Sequence, residues 1–233
     1  MLRSYKILKD KHKSQTAFIC GSGSSFLECV QHPLFKNIHN HIVLSVNASI
    51  ISMPWENGEP DRRYWVSNDI GNMMWNYSVK IRTYKMFRVV RDSWTKFNLP
   101  YEPILYYPPR PTREDIINPD DEGLSYCSSV PSALDLSIYM GCSKVYLLGV
   151  DQYFKDGKSH YWEFLPLDQQ PKRRDGKKNP FSEQTYAFEF NVGAFSALRK
   201  YADNVGVSVF NCSIESKLNS FPKMNFGDIL EIQ

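Results

Sequence analysis

Short apolar strands that alternate with helical patterns constrain this chain more than any other feature. The run at 16–20 stops at Gly21-Ser22-Gly23-Ser24-Ser25, and a helical pattern begins at Phe26. Further along, a helical pattern that starts at Ser128 leads through Gly141 to an apolar strand at 144–150. Strands that alternate with helices favour a parallel sheet covered on both faces. We therefore predict an α/β fold with a Rossmann-like, mostly parallel sheet.

The remaining elements follow from the same two periodicities. Further strands are predicted at 41–46, 63–67, 87–90, 103–107 and 207–211, and a last helix at 183–204. We expect one domain over residues 1–233, with the framework at 16–228. The polar and basic segment 168–179 predicts a mobile surface loop that closes like a lid.

Composition excludes several classes of protein. A hydrophobic fraction of 42% with 14% aromatic residues indicates a packed core rather than disorder. The net charge of +3 is too small to argue for nucleic acid as a partner. No run of 18 apolar residues occurs and the N-terminus lacks a signal-peptide core, so we expect a cytoplasmic protein without a membrane span. A homo-oligomer is compatible with these observations.

The five cysteines favour reduced thiols over disulfides or a zinc site. They form no C-x-x-C pair, and several fall inside apolar strands or helices. No His, Cys or carboxylate group stands at the spacing of a zinc or iron site, so the sequence implies no such metal.

Polar residues follow the predicted strands where ligands bind in open α/β sheets, at the carboxyl ends. These residues are Gly21, Asn47, Asn68, Asp151 and Asn211. Asparagine both donates and accepts hydrogen bonds, which suits a sugar hydroxyl, a base edge or a phosphate. A strand-end asparagine is also a common turn or cap residue. Ser128 and Ser129, at the start of the middle helix, join the candidate nucleotide or phosphate-binding residues.

The glycine turn Gly21-Ser22-Gly23-Ser24-Ser25 is a candidate phosphate cradle, because glycines let backbone amides approach an anion. It departs from the dinucleotide fingerprint, since Phe26 takes the third glycine position and Asn47 stands where an acidic residue would bind the ribose. NAD is therefore disfavoured, and the absence of G-K-[ST] excludes a P-loop. A tight turn without ligand is the alternative.

The loop 151–162 is polar and aromatic and follows the most buried predicted strand. Tyr153 and Tyr161 are candidates to bind phosphate, and His160 is a candidate proton acceptor. Magnesium bound by Asp151 or Asp156 through a diphosphate is a further option. The serines of the turn and of the middle helix lie outside any G-x-S-x-G context, which argues against a serine hydrolase.

Two blocks of the sequence carry a resemblance to known families. Residues 17–27 and, more densely, 128–151 are similar to the opening turn and the shared helix, glycine turn and strand of bacterial lipooligosaccharide sialyltransferases. The same blocks resemble a related domain family of the 6-hydroxymethylpterin diphosphokinase type. The C-terminal pattern from Phe210 to Leu218 adds to the resemblance.

The sialyltransferase resemblance implies a nucleotide-sugar donor, favours CMP as the nucleotide, and implies a saccharide acceptor. It places Gly21, Gly23, Ser24, Asn47 and Asn68 around the donor, and two loop tyrosines on its phosphate. The family's catalytic base is a histidine before the last helix, whereas this chain has none after His160.

Three functions stay open at this point. Either His160 supplies the base for glycosyl transfer, or the chain transfers a diphosphate from ATP with magnesium as the pterin-type relatives do. The third alternative is a nucleotide-binding or scaffold protein that has the fold without catalysis.

Overall fold

The computed structural model describes residues 3–56, 60–91, 94, 104–107, 128–176 and 186–233. Its centre is one sheet of eight strands with the order β1-β6-β5-β4-β3-β2-β7-β8, and every neighbouring pair is parallel. The strands are β1 (Arg3–Ser4), β2 (Thr16–Cys20), β3 (Ile42–Val46), β4 (Arg63–Ser67), β5 (Phe87–Arg91), β6 (Ile104–Tyr107), β7 (Lys144–Leu148) and β8 (Ser208–Asn211). The predicted Rossmann-like parallel sheet is confirmed.

Four α-helices and several 3₁₀ helices are described. The α-helices are α1 (Phe26–Gln31), α2 (Ser78–Thr83), α3 (Ser129–Tyr139) and α4 (Tyr186–Asn204). The 3₁₀ helices are Tyr5–Leu8, Pro33–Asn40, Asn47–Ser52, Pro60–Arg62, Ile70–Met74, Tyr161–Phe164, Phe226–Asp228 and Leu230–Ile232. The predicted helices from 128 and at 183–204 correspond to α3 and α4, and residues 183–185 lie outside the described residues.

Both faces of the sheet are buried, as the apolar strands require. Ala17 and Ile19 of β2 pack in one cluster with α3 and α4, whereas Phe18 and Cys20 pack in a second cluster with α1 and α2. Successive strand residues point to opposite faces, so one apolar run supplies both cores.

The cysteines of the described chain fill these cores. Cys20, Cys29, Cys142 and Cys212 are free and buried, and Cys127 lies outside the described residues. Burial raises the pKa of each of the four thiols, to about 12 for Cys142 and Cys212. Thiols of such high pKa are poor nucleophiles.

The strand order reverses between β2 and β7. From β2 the chain steps through β3, β4, β5 and β6 in one direction, whereas β7 and β8 lie on the other side. The carboxyl ends of β2 and β7 therefore flank a topological switch point, the usual place for a ligand in such sheets. None of the described helices is both long and apolar enough to cross a membrane.

Candidate functional site

The glycine turn Gly21–Ser25 lies against the end of β7. The Gly21 amide donates to Leu148 O at 2.8 Å, and the Gly23 amide donates to Gly149 O at 2.9 Å. A Cβ atom on Gly21 would lie 2.5 Å from Gly149 O, which is closer than any side chain tolerates. The turn therefore needs glycine because two strand ends meet there, whether or not a ligand binds.

The carboxylate of Asp151 closes this turn. Its Oδ2 accepts hydrogen bonds from Ser24 Oγ at 2.8 Å and from the Ser25 amide at 2.9 Å, and Oδ1 accepts from Ser25 Oγ. Asp151 is only 3% exposed, and Ser213 Oγ lies 2.6 Å from Ser25 Oγ. The Asp151 carboxylate thus accepts the hydrogen bonds that Ser24 and Ser25 would otherwise donate to a bound phosphate. Among the described residues, none accepts from the amides of Ser22 and Ser24, which remain free to bind a ligand.

A cavity of about 360 Å³ lies on the α1 and β8 side of this turn. It is lined by Ser25, Glu28, Cys29, His32, Asp151, Tyr153, Lys155, Cys212, Ser213, Ile214, Glu215, Ser216, Asn225, Phe226 and Gly227. The Lys155 ammonium lies 3.3 Å from Glu28 and 3.9 Å from Glu215. Carboxylates outnumber cations in this lining, so the cavity suits hydroxyl or amino groups of a ligand better than phosphate.

Asn47, directly after β3, has its backbone in the left-handed region with φ of 51°. Its Oδ1 accepts from Asn72 Nδ2 at 3.3 Å and from Ser129 Oγ at 3.2 Å. No described residue accepts from its Nδ2. Gln152, after β7, has φ of 56°, and its Oε1 is buried without a partner in the described chain. The two residues with left-handed backbone follow β3 and β7, which lie on either side of β2, and they mark this edge of the sheet as a candidate site.

Asn68, directly after β4, holds the start of α3. Its amide donates to Ser129 Oγ at 2.8 Å, and its Nδ2 donates to Ser128 O at 3.2 Å and to Ser132 Oγ at 3.0 Å. The predicted residues Asn68, Ser128 and Ser129 therefore do meet at one point. The hydrogen bonds of Asn68 and Ser129 join the ends of β3 and β4 to the start of α3, so a structural role is sufficient to explain these residues.

The two candidate tyrosines point to different elements. Tyr153 donates to Glu215 Oε2 at 3.0 Å, and burial together with this contact raises the pKa of its phenol. Tyr161 is fully buried; its hydroxyl lies 2.9 Å from Ser52 Oγ and 3.4 Å from Ala48 O. Burial raises the pKa of Tyr161 as well. The structure does not bring the two hydroxyls to a common partner.

His160 lies next to the glycine turn, because the adjacent Tyr161 amide donates to Ser22 O at 2.9 Å. Its imidazole stacks on Trp162 with ring centroids 5.2 Å apart, and a quarter of its side chain is exposed. Nδ1 lies 2.6 Å from Ser159 Oγ and 3.5 Å from Glu163 Oε2. No described residue hydrogen-bonds to Nε2. Of the candidate residues, His160 alone combines partial exposure with an unused proton acceptor.

Glu163 stays ionised despite its partial burial. Burial by itself would raise the pKa of the carboxyl group, but hydrogen bonds from His160 and Ser159 outweigh burial and lower it. The sequence interpretation missed this residue. The spacing of three residues between His160 and Glu163 at the start of a short helix was the available signal.

Arg173 was also missed, because the basic run 172–174 reads as solvated surface. The described part of the predicted mobile loop, residues 168–176, is hydrogen-bonded to the segment 74–76, through Lys172 O and the Arg174 amide. Arg173 makes a two-point ion pair with Asp175 at 2.9 and 2.6 Å and lies 5.8 Å above the Trp75 ring. Residues 177–179 lie outside the described residues, and lid closure stays a prediction.

Metal-binding geometry is not seen in the described ranges. No group of three or more His, Cys, Asp or Glu side chains gathers there. The carboxylate oxygens of Asp151 already accept hydrogen bonds from serines, so the proposed magnesium role of this residue would require those bonds to break.

Comparisons with known proteins give a likeness of fold. No protein-family model and no curated protein sequence matches the chain significantly. The sialyltransferase CstII from Campylobacter jejuni, bound to cytidine-5'-monophosphate, is 12% identical with a TM-score of 0.47, over 91% of this chain and 85% of that chain. The monofunctional alpha-2,3-sialyltransferase Cst-I from the same organism is 14% identical with a TM-score of 0.49, over 90% and 80% of the two chains.

A further CstII structure contains a trisaccharide acceptor and CMP; it is 12% identical with a TM-score of 0.46, over 90% of this chain and 86% of that chain. The chain is thus similar in structure to Campylobacter sialyltransferases over about 90% of its length at low identity. The fold itself is defined by the parallel sheet and its switch point.

Proposed function

We propose that this protein is a glycosyltransferase-like enzyme that transfers a sugar from a nucleotide donor to an acceptor hydroxyl. The observation that carries the proposal is His160, a half-buried imidazole beside the glycine turn whose Nε2 has no partner in the described chain. Transfer to a hydroxyl needs a proton acceptor near neutral pH, and histidine is suited to that role. The sequence blocks 17–27 and 128–151 support CMP as the nucleotide.

The donor would lie across the turn. Ser25 lines the cavity, and Ser22 O contacts the residue after His160, so three residues separate the two places. Three residues span at most about 11 Å, which is within the length of a nucleotide sugar. In this arrangement the nucleoside hydroxyls and amine face the cavity carboxylates, the phosphate meets the Ser22 and Ser24 amides, and the sugar approaches His160.

The reaction then balances without a redox step. The acceptor oxygen bonds to the anomeric carbon while the bond from that carbon to the phosphate oxygen breaks. The nucleotide leaves with the electron pair, and the acceptor proton moves to His160 Nε2. Asn47 Nδ2, which has no described partner, is the further donor that we assign to the sugar or phosphate.

The first experiment is a thermal-shift panel of CMP, CDP, UDP, GDP, ADP and ATP, each with and without magnesium. A shift selective for CMP and independent of metal is the expected result. An ATP shift that needs magnesium would favour the diphosphokinase instead. If no nucleotide raises the melting temperature, the non-catalytic alternative replaces the proposal.

The second experiment tests His160 with a CMP-sugar donor. His160→Asn should lower transfer about 10²–10⁴-fold, the range for a lost general base. Its melting temperature should stay near that of the parent chain, because no described residue depends on Nε2. Unchanged transfer by a folded variant would remove His160 from the mechanism. The cytoplasmic location and a homo-oligomeric state stay predictions that fractionation and light scattering would check.

A further inference from the structure

We propose that Ser159 and Glu163 are positioning residues that hold His160 in the tautomer with its proton on Nδ1, which leaves Nε2 as the acceptor. The inference deepens the proposed function, on which its catalytic meaning rests. The tautomer itself can be tested without any substrate.

The assignment follows from counting protons among three atoms. An ionised carboxylate only accepts, and a serine hydroxyl has one proton to donate. Ser159 Oγ lies 3.3 Å from Glu163 Oε2 and 2.6 Å from His160 Nδ1. When the hydroxyl donates to the carboxylate, its oxygen must accept from an Nδ1–H group, and both contacts are satisfied.

The opposite tautomer is disfavoured by the same geometry. With the proton on Nε2, the hydroxyl would donate to Nδ1 and no longer to Glu163. The bare Nδ1 lone pair would then face the carboxylate oxygen at 3.5 Å. Two electron-rich atoms at that separation repel, whereas an Nδ1–H group is attracted to the carboxylate.

The surrounding contacts make this arrangement rigid. Glu163 Oε2 also accepts from the Ser159 amide at 2.9 Å and from the His160 amide at 2.8 Å. Trp162 stacks on one face of the imidazole, with an angle of 26° between the rings. The carboxylate therefore cannot move away without loss of two backbone hydrogen bonds, and the ring cannot turn freely.

Other charged groups near the ring are paired or face elsewhere. Arg173 lies beyond Trp75 and is paired with Asp175, and the Lys158 ammonium lies 4.3 Å above the Phe164 ring. Glu163 is the charged side chain that touches the imidazole among the described residues. It would also stabilise the imidazolium that forms when Nε2 takes a proton.

The test is long-range ¹H–¹⁵N NMR of the histidine side chains in the full chain, followed across pH. In the parent protein the neutral imidazole of His160 should show a protonated Nδ1 and an unprotonated Nε2. Ser159→Ala removes the hydroxyl but keeps the hydrogen bond from the backbone amide of residue 159 to Glu163. It should raise the share of the Nε2–H tautomer. Glu163→Gln keeps an oxygen that can accept from the two backbone amides but removes the charge, and it should also raise the share of the Nε2–H tautomer.

Asp203→Asn, an exposed substitution on α4, is the matched control and should leave the His160 signals unchanged. An Nε2–H tautomer in the parent protein would overturn the inference. So would an unchanged tautomer in both folded variants. If Glu163→Gln does not fold, Ser159→Ala still decides the outcome.

An activity readout separates this inference from the proposed function. Ser159→Ala and Glu163→Gln should each lower kcat as the share of the tautomer with a free Nε2 falls, while KM stays near the parent value, which a purely structural defect would not do. The expected tautomer in a chain without transferase activity would uphold the inference and reject the proposed function. Transferase activity with the opposite tautomer would do the reverse.

Discussion

Two serine–carboxylate clusters stand at the same edge of the sheet and differ in what they leave unsatisfied. Asp151 accepts from Ser24 and Ser25, is 3% exposed and hydrogen-bonds to no titratable base among the described residues. Glu163 holds two amides and the Nδ1 edge of His160, whose Nε2 stays without a described partner. Similar residue types thus build two clusters. In the closed cluster, Asp151 and its serines stabilise the fold. In the open cluster, His160 Nε2 is left available to accept a proton.

A polar group at a strand end is therefore not in itself a functional site. Asp151, Asn68 and Ser129 form hydrogen bonds with other parts of the protein. His160 and Asn47 retain an unused atom each. Substitutions of residues whose hydrogen bonds are all made within the protein should therefore lower stability. Substitutions of His160 or Asn47 should lower activity.

The largest effect is expected for Gly21→Ala, in the glycine turn that the closed cluster of Asp151, Ser24 and Ser25 stabilises. Its Cβ would lie 2.5 Å from Gly149 O, so the two strand ends would have to separate. We expect a loss of about 3 kcal/mol or more in the free energy of unfolding, measured by urea denaturation. Gly193→Ala on α4, where nothing lies within 4 Å of the new Cβ, is the control and should stabilise by roughly 0.5–1 kcal/mol. A neutral Gly21→Ala would show that β2 and β7 do not meet this closely.

Two histidines, His12 and His39, should make the free energy of unfolding depend on pH. His12 is 4% exposed, its Nε2 lies 2.6 Å from the Tyr64 hydroxyl, and burial lowers its pKa to about 4. The unfolded chain binds a proton that the folded chain rejects, so the contribution is complete above about pH 6.5 and is lost as pH falls towards 4. The loss should reach about 2 kcal/mol at pH 5.

His39, whose pKa burial also lowers to about 4, adds a loss of the same sign. Urea denaturation at pH 7.5, 6 and 5 tests both. His12→Gln should flatten the profile by about half, whereas Gly193→Ala, which changes no titratable group, should leave the shape of the profile unchanged. A profile of unchanged shape in His12→Gln would contradict the assignment of this pH dependence to His12.

Asp151→Asn should cost about 2 kcal/mol, because charge-assisted hydrogen bonds to Ser24 and Ser25 are replaced by a weaker amide. Glu163→Gln should cost less than about 1 kcal/mol, since one oxygen still accepts from both backbone amides. Asp156→Asn, at an exposed position, is the control. Equal melting temperatures for Asp151→Asn and Asp156→Asn would mean that the closed cluster does not hold the turn.

The smallest expected difference concerns the two tyrosines. Tyr161→Phe removes a buried hydroxyl bonded to Ser52 and should cost about 1 kcal/mol. Tyr153→Phe removes a contact at the cavity rim and should cost less than about 0.5 kcal/mol while it weakens nucleotide binding. Denaturation and CMP titration of both variants check this. Normal nucleotide binding by Tyr153→Phe would remove this tyrosine from the donor site.

The strands could be predicted from the sequence because their signal is local. The runs ending at Cys20, Val46, Ser67 and Leu148 are apolar on both faces, and a strand buried on both faces needs such a run. The polar residues that follow them were therefore placed correctly at the carboxyl edge. The N-terminal strand β1, only two residues long, was missed because it is too short to show a period.

The partners of those polar residues could not be predicted. Ser24 and Asp151 are 127 positions apart, and they meet only because β2 and β7 are neighbours. Tyr161 shows the same limit, since nothing in its local sequence says that the ring enters the core beneath Asn47–Ser52. Glu163 and Arg173 escaped notice because a charged residue in a polar loop usually faces solvent.

By itself the sequence determined the element types, the parallel sheet and the edge of the sheet at which the polar strand-end residues lie. Periodicity and strand-end polarity are properties of neighbouring residues. Only the tertiary structure decided which polar atoms form hydrogen bonds within the protein and which are left without a partner among the described residues. That division depends on contacts between distant segments: Asp151 meets two serines and is satisfied, whereas His160 meets a carboxylate on one nitrogen and keeps the other unused.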